Sequence, residues 1–92
     1  QYAENSQLHL FYVQYLLLKE EFAAALQELN HHLEQFPEDA DAYIILGDLY
    51  ASDNRIAEAR NFYSIAAKLA PHSEEVRKRL AELEALPENA VR

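Results

Sequence analysis

Between Ala40 and Pro71 the chain carries a pattern that leaves few folds open. Tyr43, Leu46, Gly47 and Tyr50 stand at i, i+3, i+4 and i+7, one face of an α-helix. Asp39 sits just before that face as an N-cap, with Pro37 two residues earlier. Asp53-Asn54 is turn chemistry and ends the helix. A second apolar face follows in Ile56, Ala59, Tyr63, Ala66 and Ala67, and stops before Pro71. Gly47, Ala59 and Ala66 are small where the two helices would touch. Glycine inside a helix costs about 1 kcal/mol relative to alanine, so it needs a packing reason. Gly47 is the only glycine in the chain. Its place predicts two helices in close approach, with tyrosines filling the space beside it.

The spacing also has a family likeness. Tyr43-x2-Leu46-Gly47-x2-Tyr50, then Ala59-x3-Tyr63, then Pro71 resembles a tetratricopeptide repeat, with aromatic swaps as the only departures. Sliding the chain back by 34 residues places Ala23, Ala25 and Pro37 on Ala57, Ala59 and Pro71. Leu16 falls on Tyr50, Phe22 on Ile56, Leu29 on Tyr63 and Tyr12 on Leu46. Residues 6–39 therefore read as a degenerate repeat and 40–73 as a clear one. The first departs at His9 in place of the large aromatic, Val13 in place of the glycine and His32 in place of the later alanine. These departures put its close packing in question, though not its hairpin.

The expected fold is all-α: two antiparallel helical hairpins and a C-terminal capping helix. The resemblance implies a short right-handed superhelical solenoid. Helices are expected at 7–18, 22–36, 40–52, 56–69 and 74–86 in a single domain. Residues 1–5 are expected to fray, with Ser6 as the first N-cap. Ser73 caps the last helix, whose stripe of Val76, Leu80 and Leu83 is narrow. One wet face suits a cap better than the first helix of a third repeat. The segment 87–92 reads as a tail.

Composition narrows the function. Sixteen acids against eight Lys and Arg give a net charge of −8 and a pI near 4.8. That argues against nucleic acid, which needs a basic footprint, and against an anionic membrane surface. No stretch is long and apolar enough for membrane insertion. With no cysteine there is no disulfide, thiolate metal site or cysteine nucleophile. The chain starts at Gln1 and has no methionine, so it is expected to be a piece of a longer protein. The compartment stays open, leaning to the cytoplasm.

No catalytic constellation is evident, and a single glycine rules out a phosphate-cradling loop. No cofactor is expected. His9 and His32 are expected to meet at one end of the first hairpin. A third ligand is not evident, so a packed histidine pair is expected rather than a metal.

The resemblance implies a protein-binding scaffold that uses the concave face of the first helix in each repeat. The matching positions include Leu10, Gln14 and Leu17, then Asp41, Ile44, Ile45 and Asp48, then Glu75, Arg79 and Glu82. They make an apolar floor with an acidic rim, suited to a basic or amphipathic peptide or helix. Relatives that grip a chaperone's C-terminal carboxylate do so with two Lys, two Asn and an Arg. Those positions read Leu10, Gln14, Ile45, Glu75 and Arg79 here, so a heat-shock chaperone tail is not the expected partner. The alternative is a self-assembly module. Leu8, Phe11, Tyr15 and Leu18 form one stripe on a helix apolar almost all round, which is expected first to pack under a further repeat of the longer protein, and otherwise to make a homodimer face or line a ligand groove.

Overall fold

The computed structural model describes residues 2–85, with side chains from Gln7 onward. It comprises α1 (Tyr2–Leu18), α2 (Phe22–Gln35), α3 (Ala40–Ser52), α4 (Ile56–Leu69) and α5 (Glu74–Glu84). There is no strand among the described residues. The fold is the expected one, two hairpins and a fifth helix. The tail 87–92 lies outside the described residues.

One boundary differs clearly. The first helix does not wait for Ser6 but already runs from Tyr2, so residues 2–5 are helical rather than frayed. Tyr-Ala-Glu-Asn contains neither Gly nor Pro, and a serine permits a helix start without enforcing one. Asp39 and Ser73 do cap. The Asp39 carboxylate accepts from the Asp41 amide at 3.1 Å, and Ser73 Oγ accepts from the Val76 amide at 3.3 Å.

The two hairpins repeat their backbone bonds 34 residues apart. Glu20 and Asn54 take positive φ angles of 61° and 65°. At each turn the next amide reaches back to the helix end: Glu21 to the Leu16 carbonyl and Arg55 to the Tyr50 carbonyl, both at 2.9 Å. This left-handed closing residue with its 6→1 bond is a Schellman end. Phe36 to His32 and Ala70 to Ala66, both 2.8 Å, match in the same way where α2 and α4 stop.

Two cores share one helix. Leu10, Val13 and Leu16 of α1 and Ala25 and Leu29 of α2 pack with Ala42, Ile45, Leu46 and Leu49 of α3. The opposite side of α3, with Ile44, faces Ile56, Ala59, Tyr63 and Ala66 of α4 and Val76 and Leu83 of α5. A Cβ placed on Gly47 would lie 2.3 Å from a ring carbon of Tyr63, so the close approach expected there is real. In the first hairpin the same two positions hold Val13 and Leu29, both wholly buried. The smaller leucine makes room for the valine. Close packing therefore survives the departures from the repeat pattern, because they occur in matched pairs.

The histidines form a second matched set. His9 and His32 face each other Nδ1 to Nδ1 at 3.0 Å. The Nε2 of His9 lies 2.8 Å from Glu28 Oε1, and that of His32 lies 2.8 Å from Asp39 Oδ2. A carboxylate accepts, so each Nε2 donates, and the two Nδ1 atoms meet between the rings. Thirty-four residues later, the positions of His9, Glu28 and His32 are Tyr43, Phe62 and Ala66. There Phe62 stacks between Tyr43 and Tyr50, at centroid distances of 6.5 and 5.2 Å. An aromatic stack in one repeat is a hydrogen-bonded chain in the other.

Candidate functional site

Helices α1, α3 and α5 line an open groove of about 220 Å³. Each contributes side chains from the margin of its core face. From α1 come Gln7, Leu10, Phe11 and Gln14; from α3, Asp41, Ile44, Ile45 and Asp48; from α5, Glu75 and Arg79. Leu10, Ile44 and Ile45 are buried and form the floor, while Phe11 stands 55 % exposed as an apolar wall. Of the residues expected on this face, Leu10, Gln14, Asp41, Ile44, Ile45, Asp48, Glu75 and Arg79 come together. Leu17 instead packs against the first core, and Glu82 is exposed outside the groove lining.

The acidic residues are not equivalent. Asp48 is already engaged. Arg79 Nε donates to its Oδ1 at 2.9 Å and Nη2 to its Oδ2 at 3.2 Å, a two-point clamp. The Tyr63 hydroxyl also donates to Asp48 Oδ1. Burial, then the hydrogen bond to Asp48, push the Tyr63 hydroxyl well above the usual phenol range. The hydrogen bond to Asp48 likewise raises the already basic Arg79 guanidinium. Arg79 also reaches Glu75 Oε2 at 3.3 Å.

Asp41 is the open charge. Burial first, then repulsion from Asp39 and Glu75, hold its carboxyl above the ordinary aspartate range. No ion pair neutralises it among the described residues. The groove thus pairs a buried aliphatic floor with one carboxylate whose surroundings favour an incoming cation.

Sequence reasoning counted Asp48 as an open rim charge and missed its clamp. A signal was present. Tyr63 stands where the repeat pattern has phenylalanine, and a buried tyrosine hydroxyl needs a partner.

A family model described as tetratricopeptide repeat matches residues 16–83, well over half of the chain. The chain belongs to the tetratricopeptide repeat family. Tetratricopeptide repeats generally mediate protein–protein interaction. Comparison with curated proteins gives no match. No described helix is long and apolar enough to cross a membrane.

Proposed function

We propose that this tetratricopeptide domain is a non-enzymatic scaffold module whose groove takes a basic or amphipathic peptide or helix from another protein. The observation that supports this is Asp41, a solvent-accessible carboxylate at the groove edge, raised first by desolvation and then by its acidic neighbours, beside the floor of Leu10, Ile44 and Ile45. A groove of about 220 Å³ has room for one or two side chains rather than a whole helix. The partner segment inserts an apolar residue against Phe11 and sets a Lys or Arg near Asp41 and Glu75. Arg79 is held by Asp48 and Glu75, so it does not act as an anion clamp, in keeping with the reading against a chaperone carboxylate tail.

The test is a peptide array of amphipathic sequences, basic and acidic, read by fluorescence anisotropy at several salt concentrations. Basic members should bind, with affinity falling as salt rises. Asp41→Lys should slow association and abolish the preference. Equal binding of acidic peptides, or no salt dependence, overturns the reading. Asp48→Lys is the poorer probe, because it also breaks the clamp to Arg79 and Tyr63.

A second reading, self-assembly through α1, is favoured by the exposure of Leu8, Phe11, Tyr15 and Leu18, at 64, 55, 54 and 85 %. Phe11 belongs to both surfaces, whereas Leu8, Tyr15 and Leu18 lie outside the groove lining, so pairing and peptide binding would compete for Phe11 alone.

A further inference from the structure

The first helices of the stack dock through the same positions. Helix α3 buries Ala42, Ile45, Leu46 and Leu49 in the first core, with α1 and α2. Thirty-four residues later, α5 sets Val76, Leu80 and Leu83 in the second core and Arg79 on Asp48. Thirty-four residues earlier, the four positions on α1 are Leu8, Phe11, Tyr12 and Tyr15. These are 64, 55, 49 and 54 % exposed. The apolar surface of α1 is therefore the repeat's own stacking face, with larger side chains than α3 carries there. Leu18 falls outside it, since its counterpart Ser52 closes α3 and belongs to neither core.

We infer that this face packs against the same face of a second copy of the chain around a two-fold axis, which rests on the self-assembly reading. Charge selects the occupant. Each copy carries a net charge of −8, so approach is unfavourable through most of the surface. From Leu8 to Leu18 there is no Asp, Glu, Lys or Arg. At the opposite end of the stack, α5 exposes Glu74, Arg77, Lys78 and Glu82. Head-to-tail stacking would lay Phe11 and Tyr12 on those charges and strip their water without supplying partners. Face-to-face pairing buries apolar surface on apolar surface, and an isologous contact closes at two copies. Four large apolar side chains thus stand about half exposed or more on one face of α1. A contiguous apolar patch of that kind marks an interaction site.

Analytical ultracentrifugation of the 92-residue chain from micromolar to millimolar concentration tests this. The expected result is a monomer–dimer equilibrium with no larger species. Tyr12→Lys lies on the exposed face, so circular dichroism should show unchanged helix content. It should weaken pairing at least about tenfold, because a two-fold axis places each substitution in the interface twice. The chain lacks cysteine, so single cysteines at positions 8, 12 and 15 can be oxidised one at a time. At least one should cross-link to itself. A cysteine on α1 combined with Glu82→Cys should give no ladder of cross-linked species. A monomer at millimolar concentration overturns both the self-assembly reading and this geometry. A dimer indifferent to Tyr12→Lys, or growth beyond the dimer, leaves self-assembly standing and overturns the face and symmetry inferred here.

Discussion

Helices α1 and α2 make the same turn, with the same hydrogen bonds, as α3 and α4, yet different chemistry holds each pair together. The second hairpin sets Gly47 under the ring of Tyr63 and stacks Phe62 between Tyr43 and Tyr50. The first sets Val13 beside a smaller Leu29 and runs a polar chain from Glu28 through His9 and His32 to Asp39. His32 is wholly buried, and no buried side-chain nitrogen or oxygen lacks a partner among the described residues. The repeat thus fixes where volume is needed and leaves open how it is divided or what fills it. A family pattern reads one solution, and a matched pair of departures is another.

The sharpest way to break the comparison is to mix the two solutions. Gly47→Leu should cost about 1–3 kcal/mol, because even a Cβ meets the Tyr63 ring. Gly47→Val alone should also destabilise. Gly47→Val with Tyr63→Leu reproduces the first hairpin and should recover most of the loss in a urea melt, short of the Tyr63–Asp48 bond. No recovery would mean that the two pairs are not interchangeable.

Next in size is His32→Ala, expected to cost about 1–3 kcal/mol, because it leaves a cavity and removes the buried donor to Asp39. His32→Ala with His9→Tyr restores the second hairpin's aromatic-and-alanine pair and should lose less than His32→Ala alone. If the double variant is worse, Glu28 is the reason, since it would then face a ring with no donor nitrogen.

Much of this was legible beforehand, and the misses have physical causes. The bounds 40–52 and 56–69 were fixed by Asp39, Asn54 and Pro71, whose effects are local. The meeting of His9 and His32 followed from their places on antiparallel helices. The Asp48–Arg79 clamp did not, because its partners lie 31 residues apart on helices whose facing sides depend on the whole stack. The compensation of Val13 by Leu29 was visible in the 34-residue alignment only when the two positions were read together.

Smaller effects sharpen the comparison. Both turns need a left-handed residue, and asparagine suits it better than glutamate. Glu20→Asn should therefore stabilise the first hairpin by about 0.5–1 kcal/mol in a thermal melt, whereas Asn54→Glu should reverse that gain in the second. In the groove, Asp41→Asn should raise the melting temperature at neutral pH. A carboxyl raised above 3.8 on folding binds its proton more tightly in the folded state, so the charged form there opposes folding. Wild-type stability should fall as pH rises from 3.8 through the raised value, and the benefit of the asparagine should vanish in stronger acid. An unchanged difference across that window would mean that Asp41 is not desolvated by its surroundings.

Helix α3 is enclosed on both sides, whereas α1 and α5 each meet a core on one side. Thermal motion should follow that asymmetry. Amide protons of α3 should be the last to exchange with deuterium, and those at the outer helices the first. The groove takes Ile44 and Ile45 of its floor from the slow helix, and Leu10 and both walls from the faster ones. An incoming segment would then meet a rigid base between walls that can part by small rotations. Different side chains could be admitted without any change in the positions of Ile44 and Ile45.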